Sequence, residues 1–276
     1  MTRLIVAFAA AAFYAAGVFA EDMPIFDAHM HYSHDARETL PTSQAIALLR
    51  KAGVRRALVS SSDDEGTQRL LNAAPDLIIP ELRPYRIRGD VGTWVREPDI
   101  IRYLEERLAK YQYVAIGEFH LYGADADLPV PRRMVELAKR YGLMLHAHSD
   151  ADAVERLFKQ DPGARILWAH AGFTDPERVR EMLRKHKNLW ADLAFRTDHA
   201  PGGKLAPEWR AALLEFPDRF MVGSDTYIAE RWYFVPEHAA TARRWLSELP
   251  RDVAERIGWK NGEEVFGKAF AKRRID

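Results

Sequence analysis

The sequence predicts an α/β fold, a (β/α)8 barrel, on three observations. Eight short apolar, β-branched runs recur along the chain, and amphipathic helical patterns separate them. The length of 276 residues fits the ~250 typical of that fold. Strands alternating with helices pair in parallel through βαβ units. A doubly wound open sheet is the competing arrangement, but no GxGxxG follows the first strand, as its dinucleotide-binding form requires.

The first 20 residues stand apart. MTRLIVAFAAAAFYAAGVFA has one cation, Arg3, then a small-and-apolar stretch closing on Ala20 ahead of Glu21-Asp22. That is the order of a secretory signal. Residues 1–20 are therefore expected to be a signal peptide, residues 21–276 a single barrel domain, and the protein exported, periplasmic or secreted. An uncleaved anchor is the alternative, because the run approaches the ~20 residues that span a bilayer. No later segment is as apolar, so no stable membrane insertion is expected after cleavage. Losing the leader removes one of 40 basic residues and none of 40 acidic ones, leaving a net charge of −1. A near-neutral chain without Lys/Arg runs carries no footprint for nucleic acid. Cysteine is absent, so a metal would bind through imidazole and carboxylate.

Strands are expected at 23–29, 55–61, 77–81, 113–119, 143–148, 166–170, 189–193 and 220–224. Amphipathic stretches at 42–53, 98–111, 131–142, 151–160 and 175–186 place apolar residues three and four apart, as one buried helix face requires. Thr42 or Ser43 after Pro41, and Asp175 before Pro176, supply start signals. Gly53 and Gly142 supply stops.

Barrel active sites lie at the C-terminal strand ends, and the polar residues cluster there. DAHMH ends strand 1, GEFH strand 4, LHAHSD strand 5, WAHAG strand 6 and VGSDT strand 8. Side chains two apart on a strand share a face. His29 and His31 can therefore both enter the lumen, as can Glu118 with His120, or His146 with His148. An HxH pair on a strand is a ready chelate for Zn²⁺ and similar divalent ions.

This ordered set resembles the amidohydrolase superfamily, in particular its amidohydrolase-related (amidohydrolase 2) branch, across nearly all the mature chain. IGWKNGEEVFG near the end resembles that family's terminal helix. The resemblance implies a metal-dependent hydrolase with His29, His31, Glu118, His148, His170 and Asp225 as metal ligands. It makes Asp225 the group that takes a proton from the attacking water, with His170 contacting metal, substrate or water. The cofactor is a divalent metal, Zn²⁺ or Mn²⁺, as one or two ions: two with Glu118 as the bridge is the preferred reading, and one held by His29, His31, His148 and Asp225 is the alternative. His146 competes with His148, and the position nearer the strand's C-terminal end favours His148.

Substrate-contacting candidates are Arg83, Arg86, His120, His146, Arg196 and Tyr227; the arginines would suit an anion. Asp27 is expected to orient a ligand imidazole, and His186, His199 and His238 to be solvated. The partner is a small-molecule substrate: a carboxylic ester, lactone, amide or phosphoester. Alternatives are a mononuclear decarboxylase of the same branch, a histidinol-phosphatase-like phosphoesterase, or an exported protein that only captures a ligand.

Overall fold

The computed structural model describes residues 23–273; the expected signal peptide lies outside them. The eight expected strands form: β1 (Ile25–His31), β2 (Val54–Ser60), β3 (Ile78–Leu82), β4 (Ala115–Leu121), β5 (Met144–Ser149), β6 (Ile166–Trp168), β7 (Leu189–Asp192) and β8 (Phe220–Met221). Spatial order follows chain order, and all seven ladders are parallel. Across the remaining seam the Ala28 N–H donates to the Val222 carbonyl at 2.9 Å, and the Asp225 N–H to the His29 carbonyl at 2.8 Å. The result is a nearly closed (β/α)8 barrel.

Two apolar layers hold it. Phe26, Ala28, Leu58, Ile79, Ala115, Met144, Leu167 and Met221 fill the lower lumen. The alternate residues, such as Ile25, Ala57, Ile116, Leu145 and Ile166, face the helices. Phe266 and Phe270 join the lumenal cluster, so the C-terminal segment plugs the barrel from below. Apolar filling at the bottom leaves the upper lumen to polar side chains.

Two register shifts place those side chains. Asp27 pairs with Ala57 but Met30 with Val59, and Gly117 pairs with His146 but Phe119 with Ala147. An extra residue in one strand breaks the two-residue alternation. Ala28 and His29 can thus both serve the lumen, and Glu118 enters it although Ala115, three residues earlier, also faces inward.

The helices follow their local signals with one exception. Asp175 caps the helix Pro176–Lys185 by accepting the Arg178 N–H at 3.0 Å. Gly142 ends Pro129–Tyr141 in the left-handed region, φ 62°. The helix Thr42–Lys51 instead has Pro41 at its N-cap, and Thr42 is its first helical residue with no side-chain cap.

Candidate metal centre

The strand ends converge at the top of the lumen. His29 and His31 bring their Nε2 atoms to 3.1 Å of one another. Asp225 Oδ1 lies 3.8 Å from His29 Nε2 and 3.4 Å from His31 Nε2. Glu118 is central: Oε1 is 3.5 Å from His29 Nε2 and 3.4 Å from His170 Nε2, and Oε2 is 3.3 Å from His31 Nε2. All five side chains are buried. Three donor sets, each with its atoms within 4.8 Å of one another, share His29: His29/His31/Asp225, His29/Glu118/His170 and, one layer below, His29/His146/Asp192.

The far ring nitrogens fix which atoms face the centre. His29 Nδ1 donates to Asp192 Oδ2 at 3.3 Å. His31 Nδ1 lies 3.3 Å from the Ser60 carbonyl, and His170 Nδ1 is 2.8 Å from the Ala194 carbonyl. A carbonyl or carboxylate oxygen can only accept. Each Nδ1 therefore carries the proton, and each Nε2 turns a lone pair towards the centre. Two facing lone pairs 3.1 Å apart, with two carboxylates beside them, repel unless positive charge lies between. The demand for that charge shows in His29: burial opposes its charged form, yet Asp192 and Glu118 hold its pKa well above the ordinary value. Burial likewise opposes ionisation of Asp225, but the His31 hydrogen bond and the charges of His29 and His31 pull its pKa down to about 2. Imidazoles and carboxylates so arranged fit a divalent ion.

Backbone geometry supports the same place. Among the described residues, the non-glycine positions with left-handed φ are His170, Ala171, Phe173, Phe195 and Asp225. All follow β6, β7 or β8. The left-handed conformation costs roughly 1–2 kcal/mol per residue, and such outliers gather at functional sites. Arg196 secures the β6 turn: it donates to the carbonyls of His170 (3.1 Å) and Thr174 (2.8 Å) and pairs with Asp198 (2.6 Å).

Several expected roles change. Arg83 is buried against Glu118, with Nη2 at 2.7 Å from Oε2 and Nε at 3.1 Å from the Glu118 carbonyl. Arg86 forks onto Asp90 at 3.0 Å to each oxygen. Neither guanidinium is free for substrate, nor is that of Arg196. His146 lies fully buried one layer below, between Glu81 Oε2 (3.2 Å) and Asp192 Oδ2 (3.1 Å), out of substrate's reach. His148 joins the centre through Glu118, which it shares with His170: it forms a further donor set with Glu118 and His120, its Nδ1 2.7 Å from Glu118 Oε1. Asp27 accepts the backbone N–H groups of His29 and Ser224, both at 3.1 Å. It braces the β8–β1 seam, and the imidazole-orienting role falls to Asp192. His199 is buried rather than solvated. His120 and Tyr227 line the cavity above the centre.

Sequence reasoning missed Glu81 and Asp192. Both end strands, β3 and β7, so the strand-end rule that selected the other five clusters finds them when extended to all eight.

Fold and donor cluster together define a (β/α)8 barrel with a His/Glu/Asp cluster compatible with a divalent ion at its C-terminal strand ends. A family model described as amidohydrolase matches residues 26–268, and the chain belongs to that family. No curated protein matches it in sequence. Its structure is similar to that of an uncharacterised TIM-barrel protein from Bordetella bronchiseptica (13% identity, 90% of this chain and 99% of that one, TM-score 0.62). It also resembles a candidate 2-pyrone-4,6-dicarboxylic acid hydrolase from Pseudomonas putida (18%, 89% and 98%, 0.59). A third likeness is to a candidate metal-dependent hydrolase from Lactobacillus casei (12%, 94% and 98%, 0.59). At these identities the likenesses show the shared fold.

Proposed function

We propose that the chain is a hydrolase that acts on an ester, lactone, amide or phosphoester with one divalent ion, Zn²⁺ or Mn²⁺, held by His29, His31 and Asp225. Family membership and the neighbours named as hydrolases support the reaction class. The observation that carries it is the pair of Nε2 lone pairs 3.1 Å apart beside an ionised Asp225. A divalent ion at this place supplies Lewis acidity, which acidifies water and polarises the scissile oxygen. Asp225 is ionised at neutral pH and takes the water's proton, then returns it to the leaving group. Tyr85 Oη accepts the His120 backbone N–H at 2.7 Å and so donates its own proton to Nδ1 at 3.1 Å. The ring proton is left on Nε2, and burial holds the pKa down at about 3. This neutral N–H lines the cavity as a donor for developing oxyanion charge.

Arg83 sets the ion count in this reading. Arg83 Nη2 occupies one lone pair of Glu118 Oε2 at 2.7 Å and sets a positive charge where a second ion would bind. Like charges repel most strongly in a buried site, so a single ion is favoured. Metal analysis after Zn²⁺ loading should give one equivalent per chain, and Arg83→Met should admit a second. Asp225→Asn should lower turnover by about 10²–10⁴-fold across a panel of esters, lactones, amides and phosphoesters. Two equivalents in the unaltered chain would sink the one-ion reading, and undiminished turnover in Asp225→Asn would sink the proton-transfer role.

A further inference from the structure

The cavity above the donors measures about 350 Å³, room for one or two rings where about 150 Å³ suffices for benzene. Its walls differ with height. Near the centre they are imidazole and carboxylate. At the mouth they are aromatic: Phe173, Phe195 and Tyr227 line it and are 49%, 47% and 41% exposed. Phe195 meets Phe173 at 6.4 Å and Tyr227 at 5.6 Å between ring centres, both edge-on. Phe173 also stacks on the imidazole of His170 at 4.5 Å. Large apolar side chains left this exposed around a concave polar site mark a binding surface, and two of the three are held there in left-handed backbone.

Most of the cations around the mouth are already committed. Arg83 is paired with Glu118, Arg86 with Asp90 and Arg196 with Asp198. Arg231 donates to the carbonyls of Asp225 (2.5 Å) and Ser224 (2.6 Å) and lies over the rings of Phe195 (4.7 Å) and Tyr227 (5.5 Å). It stiffens the aromatic wall and spends its hydrogen bonds inside the protein. Arg88 lines the cavity, but it faces Asp35 at 3.5 Å. Among the described residues Arg88 is thus the cavity-lining guanidinium left without a hydrogen bond inside the protein, and the Asp35 carboxylate beside it opposes a substrate carboxylate there.

We infer that the substrate is uncharged away from its reacting bond and presents a flat aryl or similar apolar group to Phe173, Phe195 and Tyr227. This rests on the hydrolase reading for the reacting bond, and it separates the chain from uses that require a carboxylate grip, the decarboxylase alternative included. The ring lies in the aromatic mouth while the ester, lactone or amide carbonyl reaches down to Asp225 and His120.

Two matched probes test it on the Zn²⁺-loaded full chain. Binding is read by calorimetry with 2-naphthol and 6-hydroxy-2-naphthoate, which differ by one carboxylate and cannot be turned over. Hydrolysis is read with their acetate esters. The neutral member should bind at least tenfold more tightly and give the higher kcat/KM. Phe195→Ala and, separately, Tyr227→Ala should each weaken naphthol binding at least threefold; both positions are exposed, so folding survives. Equal or tighter binding of the naphthoate, no binding of naphthol, or indifference to both variants overturns the inference. Selective naphthol binding without hydrolysis of either ester would leave the substrate class standing and count against the hydrolase reading. Hydrolysis favouring the carboxylated ester would do the reverse.

Discussion

Asp192 shows how much one unflagged residue can carry. Its Oδ2 accepts from His29 Nδ1 and His146 Nε2, and its Oδ1 accepts the backbone N–H groups of His170 and Ala194, at 3.1 and 3.0 Å. Burial would protonate it, but the His29 and His146 imidazoles hold its pKa far below the carboxylate range. His146 is in turn held up at about 9, because Glu81 and Asp192 outweigh burial. One carboxylate thus orients the His29 ring and positions the His170 backbone. Asp192→Asn keeps the shape but offers one acceptor oxygen instead of two. Two of the four donors lose their partner, and the wrong His29 tautomer becomes accessible. The expected result is a 10–100-fold weaker Zn²⁺ affinity, the range seen when such outer partners are changed, read by competition with a chromogenic chelator. Unchanged affinity would remove Asp192 from this role.

Strand ends, rather than strands, are where prediction from sequence thinned out. The alternation rule correctly sends His29 with His31 to one side, because the pair lies beyond the β1 bulge. It misjudges the approach to the site, since a bulge is a pairing property that neither strand reveals alone. The arginines of 81–90 and 196 looked available for the same reason: their partners, Glu118, Asp90, Asp198 and backbone carbonyls, are set by tertiary contact. The turn after β6 offers a sharp test of how an element end positions chemistry. Gly172 has φ +66°, and a Cβ there would lie 2.1 Å from the Trp168 ring. Trp168 is fully buried and donates Nε1 to the Ser149 carbonyl at 2.6 Å, so it cannot yield. Gly172→Ala should cost about 2–4 kcal/mol from overpacking plus left-handed strain, measured by urea unfolding, and should weaken Zn²⁺ binding by displacing His170. The cap change Asp175→Ala, on the next helix, should cost about 1 kcal/mol and leave Zn²⁺ affinity intact. A Gly172→Ala protein as stable as the unaltered chain would refute this account of the turn.

At the scale of the whole barrel, strand count, order and parallel pairing were legible because each strand–helix unit carries its own periodicity. The thinness of the closing seam was not: β8 is two residues long, Phe220–Met221, where 220–224 was expected, and the seam depends on contacts between the first and last strands. There the site and the fold meet. The seam bonds join Ala28 to Val222 and Asp225 to His29, and His29 and Asp225 are also the donors proposed to share an ion. An ion held by β1 and by the segment after β8 would therefore clasp the barrel where its ladder is weakest. Ligand that binds only the folded state stabilises by about 2.7 kcal/mol at a hundredfold excess over Kd. For a domain of this size that is roughly 5–10 °C in Tm. Chelation of the loaded protein should reverse the rise. It should also speed amide hydrogen exchange at Ala28 and Asp225 more than at Met144, whose N–H donates to the Val114 carbonyl on the β4–β5 side. Uniform acceleration at all three amides would mean that the ion stabilises the fold without clasping the seam, and an unchanged Tm would remove the ion from His29 and Asp225 altogether.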